Sequence, residues 1–105
     1  MGRFVIAAYK PKPGMEDDLR AVVASHLDVL RAESLVTDRP AYVMTAANGT
    51  IVEVFEWSSA EAIAKAHGNP AVQKLWEEFG RVSEYVPLAS LEEANQMFAE
   101  FEALQ

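Results

Sequence analysis

The sequence predicts an α+β domain whose elements follow the order β-α-β-β-α-β, with one more helix at the C-terminus. Three observations predict it: an opening run of aliphatic and aromatic residues, a change to helical spacing after Pro13-Gly14, and an Asn48-Gly49 hairpin signal near mid-chain. The 105 residues suit a single domain over 1–105, with a core over about 3–88 and a helical extension over about 90–104.

Arg3 to Lys10 (RFVIAAYK) reads as a buried first strand, and Pro11-Lys12-Pro13-Gly14 ends it because prolines cannot donate to a ladder. From Met15 the period changes. Leu19, Val22, Val23, His26, Leu27 and Leu30 recur on one helical face, and Glu16, Asp17 and Asp18 favour the positive end of that helix. Residues 32–40 form a loop. Two strands follow, Ala41–Ala47 and Thr50–Trp57, joined by Asn48-Gly49, which suits a two-residue type I′ turn. That turn sets Tyr42 opposite Phe55 and Met44 opposite Glu53.

Ser58-Ser59-Ala60-Glu61 reads as a capping box with Ser58 as N-cap, opening a short helix that breaks near Gly68. Asn69-Pro70 restarts it, as cap and first helical residue, and Val72, Leu75, Trp76 and Phe79 make the buried stripe. Ser83–Leu88 is the last strand of the core. Ser90-Leu91-Glu92-Glu93 is a second capping box, predicting a helix with Leu91, Ala94, Phe98 and Phe101 on one side. The order is the split βαβ, ferredoxin-like arrangement.

A four-stranded sheet of this kind carries helices on one face only. In the expected register Val43, Val52 and Val54 fall on one face, and Tyr42, Met44, Ile51, Phe55 and Trp57 on the other. Two apolar faces with one helical layer predict a homodimer with the two sheets face to face.

The formal net charge is −7, and its excess lies in residues 51–105, which hold three Lys/Arg against ten Asp/Glu. Phosphate backbones need clustered Lys and Arg, so nucleic acid and anionic membranes are excluded as partners. There is no cysteine, which removes disulfides, thiolate nucleophiles and cysteine-ligated metal, and suits a reducing compartment. The N-terminus has neither the apolar stretch nor the cleavage site of a signal peptide, and no run is long enough to span a membrane. A cytoplasmic location is the expectation. With two histidines, no dedicated metal site is expected unless Glu53 or Glu56 joins them, and no other cofactor is expected.

The stretch Ile51-Val52-Glu53-Val54-Phe55-Glu56-Trp57-Ser58-Ser59, followed by Ala62, His67, Pro70 and Phe79, resembles the antibiotic biosynthesis monooxygenase-like family. Tyr9-Lys10-Pro11-Lys12-Pro13-Gly14 is similar to that family's entry from strand to helix. The resemblance covers roughly residues 3–88 and implies a dimeric α+β barrel, in a superfamily that includes oxygenases, isomerases and proteins of no known activity. It also suggests a comparison with haem-degrading oxygenases of the same fold. The first strand lacks their Asn, and their Trp and ligand His would fall near Ala66 and on Trp76. Haem degradation is therefore disfavoured.

Glu53 is the most informative residue. Set in the expected register among Tyr42, Met44, Ile51, Phe55 and Trp57, its carboxylate loses hydration, and such burial favours the neutral form that proton-transfer chemistry exploits. A structural Glu that holds a backbone N–H, an Arg or a His is the alternative. His67, where the second helix breaks, is a candidate base, or else a cap on that helix. His26, on the apolar stripe, reads as a satisfied core or cleft-wall histidine. Tyr42, Phe55, Trp57, Trp76 and Phe79 are core residues that would also suit a flat apolar substrate, and Tyr9 and Tyr85 carry hydroxyls that could orient a phenol or quinone oxygen.

The leading expectation is a cofactor-independent oxygenase-like enzyme acting on a small aromatic polyketide, quinol or phenol. Glu53 or His67 would be the base, and Tyr9, Tyr42 or Tyr85 the donor to a developing oxyanion. A non-catalytic ligand-binding or stress-responsive barrel protein and a small-molecule isomerase are the alternatives.

Overall fold

In a computed structural model, which describes residues 1–104, strand β1 spans Arg3–Pro11. Lys12-Pro13-Gly14-Met15 then turns the chain: the Met15 N–H donates to the Lys12 carbonyl at 2.9 Å, and Gly14 takes φ +78°. Proline second and a positive-φ glycine third are what a type II turn requires. Helix α1, Glu16–Ala32, follows and buries Leu19, Val23, His26, Leu27 and Leu30.

Strands β2, Tyr42–Thr45, and β3, Ile51–Trp57, form the hairpin. Its loop has three residues, not the two expected. The Ala46 N–H donates to the Thr50 carbonyl at 2.8 Å, the Gly49 N–H to the Ala46 carbonyl at 3.0 Å, and Gly49 sits at φ +91°. The extra residue slips the register by one, so Tyr42 faces Val54, Val43 faces Glu53 and Met44 faces Val52. A slip of one flips a whole strand, and here it moves Tyr42 and Met44 to the opposite side of the sheet from Glu53.

The Ser59 side chain, one residue later than expected, caps helix α2, Ala60–Ala66, by accepting from the Ala62 N–H. Asn69 accepts from the N–H groups of Ala71 and Val72 and opens α3, Pro70–Val82, with Pro70 in the first turn. Strand β4, Ser83–Val86, pairs with β1. All pairings are antiparallel, and a short last strand, β5 at Glu102–Ala103, completes the sheet order β4-β1-β3-β2-β5. This is an α+β fold. Its main core lies between helices and sheet, where Leu19, Leu27 and Leu30 of α1 and Val72, Leu75 and Phe79 of α3 meet Tyr9, Val43, Ile51, Phe55 and Trp57. Among the described residues no helix is long and apolar enough to cross a membrane.

The C-terminal helix expected from Ser90 does not form. Two short 3₁₀ turns, Leu88–Ser90 and Glu92–Asn95, are followed by extended chain that pairs β5 with the β2 edge. The groups that would have closed a capping box are used elsewhere. Ser90 Oγ donates to the Pro87 carbonyl at 2.7 Å, and the Glu93 carboxylate accepts from the Ala47 N–H at 2.7 Å, tying the tail to the hairpin loop. Leu91 and Phe101 pack with Ala8, Val52 and Met44 on the sheet face away from the helices. The tail covers only part of that face. Phe4, Ile6 and Tyr42, which share it, remain 59, 50 and 65% exposed.

Candidate functional site

On β3, Ile51, Glu53, Phe55 and Trp57 alternate with Val52, Val54 and Glu56, so Glu53 points with the aromatics towards the helices. It is 1% exposed, and its β1 partner is the small Ala7. Two side chains converge on one of its oxygens. The Tyr9 hydroxyl donates to Oε1 at 2.8 Å, and His26 Nδ1 lies 2.6 Å from the same atom. A carboxylate oxygen that close assigns the ring proton to Nδ1. In the neutral imidazole His26 Nε2, the other ring nitrogen, then carries the free lone pair, and it has no protein hydrogen bond among the described residues.

His26 is itself buried, held edge-on against Phe55 at 5.1 Å and Phe79 at 4.9 Å between ring centroids. Tyr9 stacks on Phe79 at 4.6 Å and meets Tyr85 edge-on at 5.7 Å. Burial, then the neighbouring Glu53 carboxylate and the hydrogen bond to it, push the Tyr9 hydroxyl far above its ordinary value, so it remains a donor. Burial raises Tyr85 as well.

Above this cluster is an apolar cavity of about 290 Å³. Val5, Ala7 and Tyr9 line it from β1, Phe55 and Trp57 from β3, His26 from α1, Trp76 and Phe79 from α3, and Tyr85 from β4. It is an aromatic slot with one buried histidine in its wall. Small-molecule sites are built this way, with an apolar wall and few polar groups to fix orientation.

The solved structure of Rv0793 from Mycobacterium tuberculosis is similar to this chain. The two are 22% identical and superpose with a TM-score of 0.65, over 82% of this chain and 89% of that one. What they share is a fold. No protein-family model matches the chain, and no curated protein does.

Of the residues singled out from the sequence, Tyr9, His26, Phe55, Trp57, Trp76, Phe79 and Tyr85 surround the one cavity, and Glu53 stands behind His26 and Tyr9. Two stand apart. Tyr42 lies on the far face of the sheet, carried there by the register slip. His67 is exposed at the end of α2, with its ring edge-on to Trp76 at 5.1 Å, so it touches the back of a cavity residue without facing the cavity. A histidine is one of the partners the sequence offers for Glu53, but nothing in the sequence singles out His26. The available signal was two polar residues, one on the apolar stripe of a helix and one on the apolar face of a strand. Val5 and Ala7 were also missed, although they share the alternating face of Tyr9. Among the described residues no three of His, Asp and Glu gather closely enough to hold a metal ion.

Proposed function

We propose that the chain is a cofactor-independent, oxygenase-like enzyme for a small phenol, quinol or anthrone, with His26 as the base and Glu53 as its positioning partner. One observation carries this reading: a buried histidine whose Nδ1 is 2.6 Å from a buried carboxylate lines an aromatic cavity. A carboxylate on Nδ1 holds the tautomer and stabilises the imidazolium that forms when Nε2 takes a proton. Tyr9 is committed to Glu53, which leaves the Tyr85 hydroxyl as the cavity donor for a substrate oxygen.

With an anthrone, a C–H bond breaks and its proton goes to His26 Nε2. The carbanion reduces dioxygen, and a C–O bond forms to give a peroxide. The peroxide takes the proton back from Nε2. The second C–H bond at that carbon then breaks to form the C=O as the O–O bond breaks, and its proton leaves with the hydroxide as water. Anthrone and dioxygen thus yield quinone and water. The apolar wall excludes water while the anion exists.

The same reading places the protein in a ferredoxin-like, dimeric α+β barrel resembling the antibiotic biosynthesis monooxygenase-like family. The half of the sheet bearing Phe4, Ile6 and Tyr42, which the tail leaves bare, would meet a second copy.

Oxygen uptake on a panel of anthrones and hydroquinones tests the activity. The parent chain turns over at least one of them, and His26→Gln and Glu53→Gln lose about 10²–10⁴-fold, the usual contribution of a general base. His67→Ala stays near the parent rate. No turnover by the parent, or variants that match it, refutes the reading.

A further inference from the structure

The His26–Glu53 pair is reached from two cavities. His26 lines the aromatic one. Glu53 lines a second, of about 400 Å³, whose other walls include Ala24, Asp28 and Arg31 of α1 and Asp38 and Ala41 of the segment leading into β2. Both hydrogen bonds to Glu53 fall on Oε1, and Oε2 has no protein partner among the described residues. The two cavities differ in chemistry: one is aromatic, and the other carries two aspartates and an arginine at its wall. A polar space of that size can hold water.

We propose that the second cavity is a proton port, through which the buried base exchanges protons with solvent by way of Glu53. A ligand that fills the aromatic cavity cuts Nε2 off from water, so exchange has to proceed behind the ring. Once Nε2 has accepted a proton, the imidazolium releases its other one: the Nδ1–H bond breaks as an O–H bond forms on Glu53 Oε1. Rotation of the carboxyl group carries that O–H to the polar cavity, where it breaks in turn and the proton passes to water. When the product anion takes the Nε2 proton, the same steps run backwards and restore Nδ1–H. The groups that set the balance are Tyr9 from β1, His26, Asp28 and Arg31 from α1, and Asp38 from the loop, with Tyr85 of β4 one ring further out. Arg31 is already anchored, its guanidinium donating to the Arg39 carbonyl at 2.8 Å.

The proposal rests on His26 as the base, but its test needs no turnover and so fails or succeeds separately. The exchange of the His26 Nδ1 proton with water is measured by NMR saturation transfer on the resting protein. Ala24→Leu and Ala41→Leu each fill the polar cavity from a different wall, so one remains if the other does not fold. Val5→Phe fills the aromatic cavity instead. The expected result is severalfold slower exchange in the two leucine variants and an unchanged rate in Val5→Phe. A signal too fast to see in the parent that emerges only in the leucine variants means the same. Unchanged exchange in the leucine variants, equal slowing by Val5→Phe, or no signal in any of the chains overturns the proposal.

Discussion

Replacing Tyr9 with Phe removes one oxygen atom from the middle of the site and leaves the ring stacked on Phe79 at 4.6 Å. The hydroxyl that is lost donates at 2.8 Å to a carboxylate that is 1% exposed. Hydrogen bonds to charged groups contribute about 1.5–3 kcal/mol net, roughly twice a neutral bond. Glu53 keeps His26 on the same oxygen, so the carboxylate is not orphaned and the larger penalty of an unpaired buried charge does not apply. The expected loss is therefore about 2 kcal/mol, or about 10 °C in Tm for a domain of this size. Urea unfolding followed by tryptophan fluorescence measures it, with parent and variant at equal protomer concentration so that any association cancels. Tyr85→Phe is the control. Its hydroxyl has no protein partner among the described residues, the residue is 58% exposed, and its loss stays within about 0.5 kcal/mol. If Tyr9→Phe costs no more than Tyr85→Phe, the Tyr9–Glu53 bond does not hold the site together and the reasoning fails.

Three further outcomes follow from the geometry. Because the folded state holds the Tyr9 proton above the ordinary tyrosine value of about 10, the unfolded chain releases it first, so stability is full below about pH 10 and falls as pH rises beyond it. Urea titrations at increasing pH read this fall, which flattens by about 1.4 kcal/mol per pH unit in Tyr9→Phe; an unchanged slope contradicts a buried phenol. Ile6→Glu, in the bare half of the sheet, converts a dimer into a monomer in sedimentation velocity, whereas a parent chain that is already monomeric at micromolar concentration removes the face-to-face pairing. Leu91→Ala leaves a gap against Ala8 and Val52 and costs about 2–4 kcal/mol, where a loss under about 1 kcal/mol would mean that the tail is not docked.

The main elements were legible because their signals are local. The helical stripe from Leu19 to Leu30, the Asn69-Pro70 start and the alternation along β3 each depend on one segment alone. The face that Glu53 shares with Ile51, Phe55 and Trp57 belongs to that class, since it is a property of its own strand. What depends on pairing was harder to read. Asn48-Gly49 suits a two-residue turn, yet the chain uses Gly49 in a three-residue loop, and one extra residue sends Tyr42 to the far face. The tail misled in a related way: Leu91, Ala94, Phe98 and Phe101 have helical spacing, but Glu93 is drawn to the Ala47 N–H and the chain runs on extended to reach β2. The site's decisive contact joins residues 27 apart in sequence, so His26 and Glu53 could each be noticed but not joined.

The role of His26 as the base turns on which of its ring nitrogens carries the proton. ¹⁵N chemical shifts of the ring, recorded near neutral pH on histidine-labelled protein, report it directly. A protonated Nδ1 coupled to Glu53 and a bare Nε2 are the expected result. A proton on Nε2 with Nδ1 bare would mean that the histidine cannot accept one from a ligand, and would contradict the assignment of His26 as the base.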